Sequence, residues 1–196
     1  MKLDCILTAT NDNPLYCDFI PMFIRMWKNL VPNADVKIIY IADSIPQKLE
    51  QYKDHLIHFP PIDDMLSAFI SQYIRILYPS LMNYTGGVLI TDMDMMPMNS
   101  AYYVDNIKEF SNDKFIYLRD WFYNNEIAIC YNVATPSTWK EVNNINSMEE
   151  LISKLKEAYK KVTYTGEHGG PGWCTDQIDF KTMLWNWKDH STRFVH

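Results

Sequence analysis

Residues 86–97 read GGVLITDMDMMP and combine a turn, an apolar run and two carboxylates. The pair Gly86–Gly87 is typical of a turn, and the short apolar run Val88–Thr91 predicts a buried strand. Residues i and i+2 of an extended chain point the same way, so Asp92 and Asp94 are expected to face one point beyond the strand. Two close carboxylates repel each other, and a divalent cation such as Mn²⁺ or Mg²⁺ removes that repulsion.

The segments before this strand alternate between strand and helix patterns. Apolar runs predict strands at Leu3–Thr8 and Val36–Ala42. Helical spacing of apolar residues predicts helices at Asp18–Leu30, Pro46–Tyr52 and Met65–Tyr78. This alternation predicts an α/β fold with a mostly parallel central sheet and helices on both faces. In such sheets, ligands bind beyond the carboxyl ends of the strands.

The second half of the chain has a more mixed pattern. Strands are predicted at Phe115–Leu118, Ile127–Tyr131 and Arg193–His196, and helices at Met148–Tyr159 and Thr175–Trp185. Ser147 and Glu150 form a capping-box pattern at the start of the first of these helices. The glycine-rich segment Thr163–Trp173 predicts a loop, and such loops can close over an acceptor.

The composition is that of one globular domain. The 196 residues are 47% hydrophobic and 21% charged, and domains usually span about 100–200 residues. The 18 basic and 24 acidic residues give a net charge of −6. Because the chain has no basic tract, polymeric nucleic acid is not an expected partner. A small anionic ligand would need a cation to offset its charge.

The same sequence gives an expectation for cellular location. No stretch reaches the roughly 18 apolar residues of a membrane span, and residues 1–8 lack the apolar core of a signal peptide. The four cysteines show no CxxC spacing and are expected to be reduced thiols. These features predict a protein with no membrane span that acts in the cytoplasm.

Polar residues follow the first predicted strand. Thr10, Asn11 and Asn13 offer hydroxyl and amide groups that can bind a pyrimidine edge and a ribose, and Tyr16 can stack on a base. The alternative is a polar turn before a helix that is capped by Asp18.

Several other polar or aromatic residues stand in positions that suit a binding site. Arg75 lies in an otherwise apolar helix and needs an anionic partner. That partner is either the diphosphate of a bound ligand or Asp92. Asp176 and Gln177 begin a predicted helix, where they either have a catalytic role or simply match the helix dipole. Trp121 and Trp173 lie in predicted loops and are candidate platforms for an acceptor sugar.

The histidines and Asn132 leave further alternatives open. His168, in the glycine-rich loop, either contacts phosphate or acceptor or is solvated. His196 is preferred to His190 as a third metal ligand because it ends an apolar strand. Asn132 follows a predicted strand. It either reaches the sugar of a bound ligand or is an ordinary strand-end residue.

Five segments in this order resemble the GT-A-fold glycosyltransferases with a DxD motif, in particular glycosyltransferase family 8 and its viral and bacterial relatives. They are TATNDNPLY (8–16), SQYIRILY (71–78), ICYNVA (129–134), CTDQIDF (174–180) and FVH (194–196). The resemblance implies one GT-A domain with a nucleotide-sugar-binding half, residues 1–98, and an acceptor half, residues 99–196.

The resemblance also implies the reaction and the residue roles. A sugar would move, with retention, from a nucleotide-diphosphate donor such as a UDP-sugar to a hydroxyl of a glycan or protein, with Mn²⁺ or Mg²⁺ as cofactor. Donor-binding residues would be Thr8, Thr10, Asn11, Asn13, Tyr16, Arg75, Asp92 and Asn132. Metal ligands would be Asp92, Asp94 and His196, and catalytic residues Asp176 and Gln177.

Two other functions use the same carboxylates. A phosphohydrolase of the haloacid dehalogenase type would use Asp92 as nucleophile, but its motif expects Thr or Val where this chain has Met96. A module that binds nucleotide sugars without transferring them is the second alternative. A sugar nucleotidyltransferase would need a glycine-rich loop with Arg and Lys after the first strand, which residues 8–16 lack.

Overall fold

The structure is a computed structural model that describes residues 1–120, 122 and 125–196, so Trp121 lies outside the described residues. The strands of this part are β1 Leu3–Asn11, β2 Asp35–Ile41, β3 Leu56–Phe59, β4 Gly87–Ile90, β5 Phe115–Tyr117, β6 Asn132–Ala134 and β7 Phe194–Val195. The α-helices are α1 Pro14–Cys17, α2 Ile20–Leu30, α3 Ser67–Leu77, α4 Ser100–Lys108, α5 Pro136–Asn143, α6 Met148–Lys160, α7 Thr175–Asn186 and α8 His190–Arg193. Segments Gln47–His55, Tyr78–Leu81 and Ile129–Tyr131 are 3₁₀ helices.

One sheet connects both halves of the chain, in the strand order β3-β2-β1-β4-β6-β5-β7. Strands β3, β2, β1 and β4 are parallel neighbours, β6 is antiparallel to both β4 and β5, and β7 is parallel to β5. The predicted α/β fold with a mostly parallel sheet is therefore confirmed. The carboxyl ends of β1 and β4 share one edge, where Thr91 N donates to Leu7 O at 3.0 Å.

Helices cover both faces of the sheet because successive strand residues point to opposite sides. Leu7 and Val88 belong to a buried cluster formed with α3, α5, α6 and α7. Ile6 and Leu89 belong to a second cluster formed with α2 and α4. Strands β1 and β4 therefore each contribute to two cores, which fixes the register of their ends, where the polar residues follow.

The predicted strand Ile127–Tyr131 is wrong in position. Its end is the 3₁₀ helix, and the strand that follows pairs Asn132 with Ile90 of β4. The side-chain nitrogen of Asn132 donates to the main-chain oxygens of Ala128 and Ile129, at 2.8 and 2.9 Å. These bonds hold the apolar run in a turn, so the extended chain starts only at Asn132.

Several helix predictions also change in detail. The predicted helix Asp18–Leu30 is α2, which begins at Ile20 with no side-chain cap, so Asp18 does not cap it. A separate short helix, α1, precedes it and is capped by Asn13, whose side chain accepts from Leu15 N at 3.0 Å. Ser147 caps α6 as predicted, but the Glu150 carboxylate accepts from Asn146 N instead of completing the capping box. Strand β3 and helices α4, α5 and α8 were not predicted.

Among the helices of the described residues, none has the length and apolar character needed to cross a membrane.

Candidate functional site

A cleft of about 320 Å³ lies beyond the carboxyl ends of β1 and β4, beside the start of α7. Its volume is within the range of small-molecule sites, about 300–1,000 Å³. Its lining includes most of the predicted site residues: Thr10, Asn11, Asn13, Tyr16, Arg75, Asp92, Asp94, His168, Trp173, Asp176 and Gln177. These residues are distant in sequence, so the fold rather than local structure assembles them.

The end of β1 and the loop after it form one wall of the cleft. Asn11 donates to Ser67 Oγ at 3.1 Å, and its side-chain oxygen accepts from Asn13 N at 3.2 Å. Thr10 Oγ1 donates to its neighbour's carbonyl oxygen, Asn11 O, at 3.1 Å. These bonds hold the polar groups in place before any ligand arrives. Tyr16 adds a half-buried ring to the same wall.

Asp92 and Asp94 follow β4 and both line the cleft. The chain turns at this point instead of staying extended, and Met95 N donates to Asp92 O at 3.2 Å. Met93 between them is buried in the core, which keeps the two carboxylates on the open side. Asp94 is exposed, whereas the Asp92 side chain is 32% exposed. The two carboxylates therefore differ, with one held in the wall and the other free in the cleft.

Arg75 joins Asp92 to Asp176 at the base of the cleft. Its Nη1 donates to Asp92 Oδ1, and its Nη2 donates to Asp176 Oδ2 at 3.3 Å. Its Nε donates to Gln72 O at 3.1 Å, within α3. Both Arg75 and Asp176 are buried. The anionic partner that the apolar setting of Arg75 requires is therefore a pair of carboxylates.

One cation facing two carboxylates leaves an excess of negative charge. Burial raises the pKa of Asp176 to about 6, an effect that Asp92 reinforces and the Arg75 guanidinium opposes. Burial alone would lower the pKa of Arg75, but the charges of Asp92 and Asp176 raise it above its ordinary value. Arg75 therefore stays charged while Asp176 changes charge in mildly acidic solution.

This raised pKa predicts a specific pH dependence of stability. Asp176 has an ordinary pKa of 3.8 and a folded-state pKa of about 6, so between these values the folded state binds more protons than the unfolded state. The contribution of Asp176 to the free energy of unfolding is then at its maximum below pH 3.8, and it falls as the pH rises through 6. From about pH 3 to pH 7 the fall is about 3 kcal/mol, at about 1.4 kcal/mol per pKa unit.

Urea unfolding of the wild type and of Asp176→Asn across this pH range measures the effect, because Asn does not titrate. The wild type should lose stability relative to the variant as the pH rises. A difference that is constant, or that changes in the opposite direction, would contradict the raised pKa.

Three predicted site residues lie away from the cleft lining. Thr8 is fully buried because β1 continues for three residues beyond it. Asn132 is fully buried and holds the preceding turn, instead of facing a ligand. His196 follows β7, and its ring lies 5.1 Å from that of Phe122 and 5.9 Å from that of Phe194.

The position of His196 differs from the predicted metal site because β6 and β5 separate β7 from β4. His190 packs on Phe194 in the same cluster, with ring centres 4.9 Å apart. Within the described residues, no group of three or more His, Cys, Asp or Glu side chains is placed to hold a metal ion. The cleft itself offers two candidate ligands, Asp92 and Asp94.

Sequence reasoning missed the link between α3 and the glycine-rich loop. Tyr164 OH donates to Gln72 Oε1 at 2.6 Å, and both residues line the cleft. Gln72 also accepts from Arg75 through its main-chain oxygen. Gln72 stands three positions before Arg75 on the same helix. This spacing was the one sequence feature that could have indicated Gln72 as a site residue.

Comparison with known proteins shows which solved structures share this fold. No protein-family model and no curated protein matches the sequence. Among solved structures, the galactosyltransferase LgtC in complex with donor and acceptor sugar analogs matches with 12% identity and a TM-score of 0.50, over 91% of this chain and 69% of LgtC. The apo form of the glycosyltransferase GlyE from Streptococcus pneumoniae TIGR4 matches with 12% identity and a TM-score of 0.55. The chain has the GT-A fold.

The GT-A fold explains why the cleft lies at this edge of the sheet. Ligands of open α/β sheets bind outside the carboxyl ends of the strands, which here carry Asn11 and Asp92. The match to GlyE covers all of this chain but 45% of GlyE, so the chain spans less than half the length of that enzyme.

Proposed function

We propose that this protein transfers a sugar from a nucleotide-diphosphate donor, a UDP-sugar, to a hydroxyl group. The observation that carries the proposal is the cleft of this GT-A fold, where Asp92, Asp94, Arg75 and Asp176 meet. Fold alone does not define activity. Asp92 and Asp94 follow a buried strand at the ligand-binding edge of the sheet, and Asp92 is paired with the buried guanidinium of Arg75. This arrangement supports nucleotide-sugar chemistry in particular.

The donor would lie across the cleft. The nucleoside would bind the wall formed by Thr10, Asn11, Asn13 and Tyr16, all from residues 1–98. Hydroxyl and amide groups there can bind a pyrimidine and a ribose, and the Tyr16 ring can stack on the base. The diphosphate would then reach the end of β4, and the sugar would face the start of α7.

The two carboxylates of the DxD motif fit a divalent cation. Mg²⁺ and Mn²⁺ take oxygen ligands, and one or two carboxylates hold them while phosphate oxygens and water complete the shell. Asp92 and Asp94 both line the cleft, so both are available for this role. When bound, the cation supplies Lewis-acid stabilisation of negative charge on the leaving diphosphate.

The residues around the sugar would orient it during transfer. Arg75 would fix Asp92 and Asp176 and contribute positive charge near the reacting groups. Asp176 is 3% exposed and bound by Arg75 and by Gln177 N, at 2.9 Å. It has little access to an acceptor hydroxyl, so we assign it a positioning role. Gln177 would line the donor sugar, and the reaction would proceed with retention.

Measurement of UDP release tests the proposal. The protein is incubated with UDP-glucose, UDP-galactose and their N-acetyl derivatives, with MnCl₂ or with EDTA. We expect metal-dependent release of UDP from at least one donor, at a rate above that of a protein-free control. Absence of UDP release from every donor would contradict sugar transfer.

The phosphohydrolase alternative is tested in parallel with an aryl phosphate. It needs a free Asp92 nucleophile, whereas Asp92 Oδ1 accepts from Arg75 Nη1. Hydrolysis of the aryl phosphate by the wild type and its loss in Asp92→Asn would favour that alternative.

A further inference from the structure

We propose that Trp173, with His168 beside it, forms the acceptor-binding wall of the cleft, and that the acceptor is a saccharide. This inference rests on the proposed function and narrows its acceptor from any hydroxyl to a sugar. It depends on where the two rings lie, on how the glycine-rich loop holds them, and on the surface that they present.

The two rings line the cleft from the glycine-rich loop, whereas the nucleoside wall comes from the residues that follow β1. Their centres are 4.8 Å apart with a tilt of 54°. Trp173 stands three residues before Asp176 at the start of α7, whereas Asn13 caps α1 and Tyr16 lies within that helix, just after β1. A donor whose base lies at the β1 wall and whose sugar faces the start of α7 would bring that sugar to the helix that Trp173 precedes, so an acceptor bound at Trp173 would lie beside the donor sugar.

The base of the glycine-rich loop fixes Trp173. Gly172 has a φ of +76°, and a Cβ at this position would lie 2.7 Å from Val162 Cγ2 and 2.8 Å from Thr163 O. Only glycine allows this close approach between the two ends of the loop. Trp173 N donates to Gly170 O at 3.1 Å, and part of its ring packs against the main core. The wall is therefore formed before a ligand binds.

The surface at this wall suits a saccharide. A half-buried Trp ring offers an apolar face for the C–H groups of a sugar. The exposed His168 imidazole beside it can donate to or accept from a hydroxyl group. Aromatic faces next to polar groups are complementary to a sugar ring, which has apolar faces and a polar edge.

Acceptor kinetics of Trp173 variants test the inference. Lactose, maltose and cellobiose serve as acceptors, and UDP release is measured with and without them. Trp173→Leu keeps apolar volume without a π face, so the KM for the stimulating saccharide should rise about tenfold, as expected for loss of one aromatic contact. The KM for the saccharide should rise by a larger factor than any change in donor hydrolysis measured without acceptor. Trp173→Phe should restore most of the acceptor affinity.

Trp185→Leu is the matched control, because Trp185 is 43% exposed on α7, the helix that follows Trp173, and does not line the cleft. The inference fails if Trp173→Leu slows donor hydrolysis and acceptor-stimulated release equally, or leaves the KM unchanged. It also fails if no saccharide stimulates release while a serine- and threonine-containing peptide does.

A second readout separates this inference from the proposed function. Saturation-transfer NMR with the same three saccharides reports binding without any donor. Saccharide signals that are present for the wild type and lost in Trp173→Leu would support the wall even if no UDP-sugar is hydrolysed. Absence of these signals, together with normal donor hydrolysis, would contradict saccharide binding at Trp173 but would not contradict the proposed function.

Discussion

The Arg75→Ala variant is expected to lose about 3–5 kcal/mol of unfolding free energy, because removing one partner of a buried ion pair leaves an uncompensated buried charge. Arg75 faces two carboxylates, Asp92 and Asp176, and Asp176 is buried at the base of the cleft. Sugar transfer should be lost as well, since both carboxylates would lose their orientation. Urea unfolding at neutral pH measures the first effect, and UDP release measures the second.

The double variant Arg75→Ala/Asp176→Asn separates charge from geometry. Neutralising the buried carboxylate should return part of the lost stability, because less charge is left without a partner. Activity should stay absent, since the guanidinium is still missing. Arg75→Lys should be intermediate, because an ammonium keeps the charge but not the planar fork that reaches both carboxylates. An Arg75→Ala protein as stable as the wild type would contradict the bridging role.

The Asp94→Ala variant is expected to lose sugar transfer by about 10²-fold or more while keeping its fold. This magnitude follows from the effect of removing one charge-stabilising group in other active sites. Asp94 is exposed and lines the cleft, so its removal leaves no buried group without a partner. Initial rates with saturating donor and MnCl₂ measure the loss, and thermal unfolding checks the fold.

Asp105→Ala is the matched control for Asp94. Asp105 is an exposed aspartate on α4, paired with Lys108 at 3.1 Å and absent from the cleft lining. Its replacement changes the net charge equally, so activity should stay near wild type. Near-normal transfer by Asp94→Ala with metal present would show that the DxD motif does not hold the cation.

Local sequence patterns were enough to predict the central part of the fold. The apolar runs that became β1, β2 and β4 are short and bounded by turn residues, so their strand character depends on neighbours in sequence. Asp92 and Asp94 both line the cleft, but a turn at residues 93–94 places them there, and not the two-residue period of an extended chain on which the prediction was based. The predicted helices α3, α6 and α7 likewise have clear start or stop signals.

Contacts between distant residues were beyond such rules. Arg75 and Asp176 are 101 positions apart, and no local pattern links the two residues. His196 was placed near the metal because it ends an apolar strand, but β7 joins the sheet at its far edge, next to β5. Strand order results from packing of the whole chain, so no local pattern reports it.

Calorimetric titration of UDP into the protein, with MnCl₂ and again with EDTA, tests the central claim most directly. We predict binding with MnCl₂ that is lost with EDTA and lost in Asp94→Ala, since the diphosphate needs a cation between it and the carboxylates. The Asp105→Ala control should bind as the wild type does. No binding under either condition would contradict a nucleotide-sugar site, and equal binding with EDTA would contradict a cation held by Asp94.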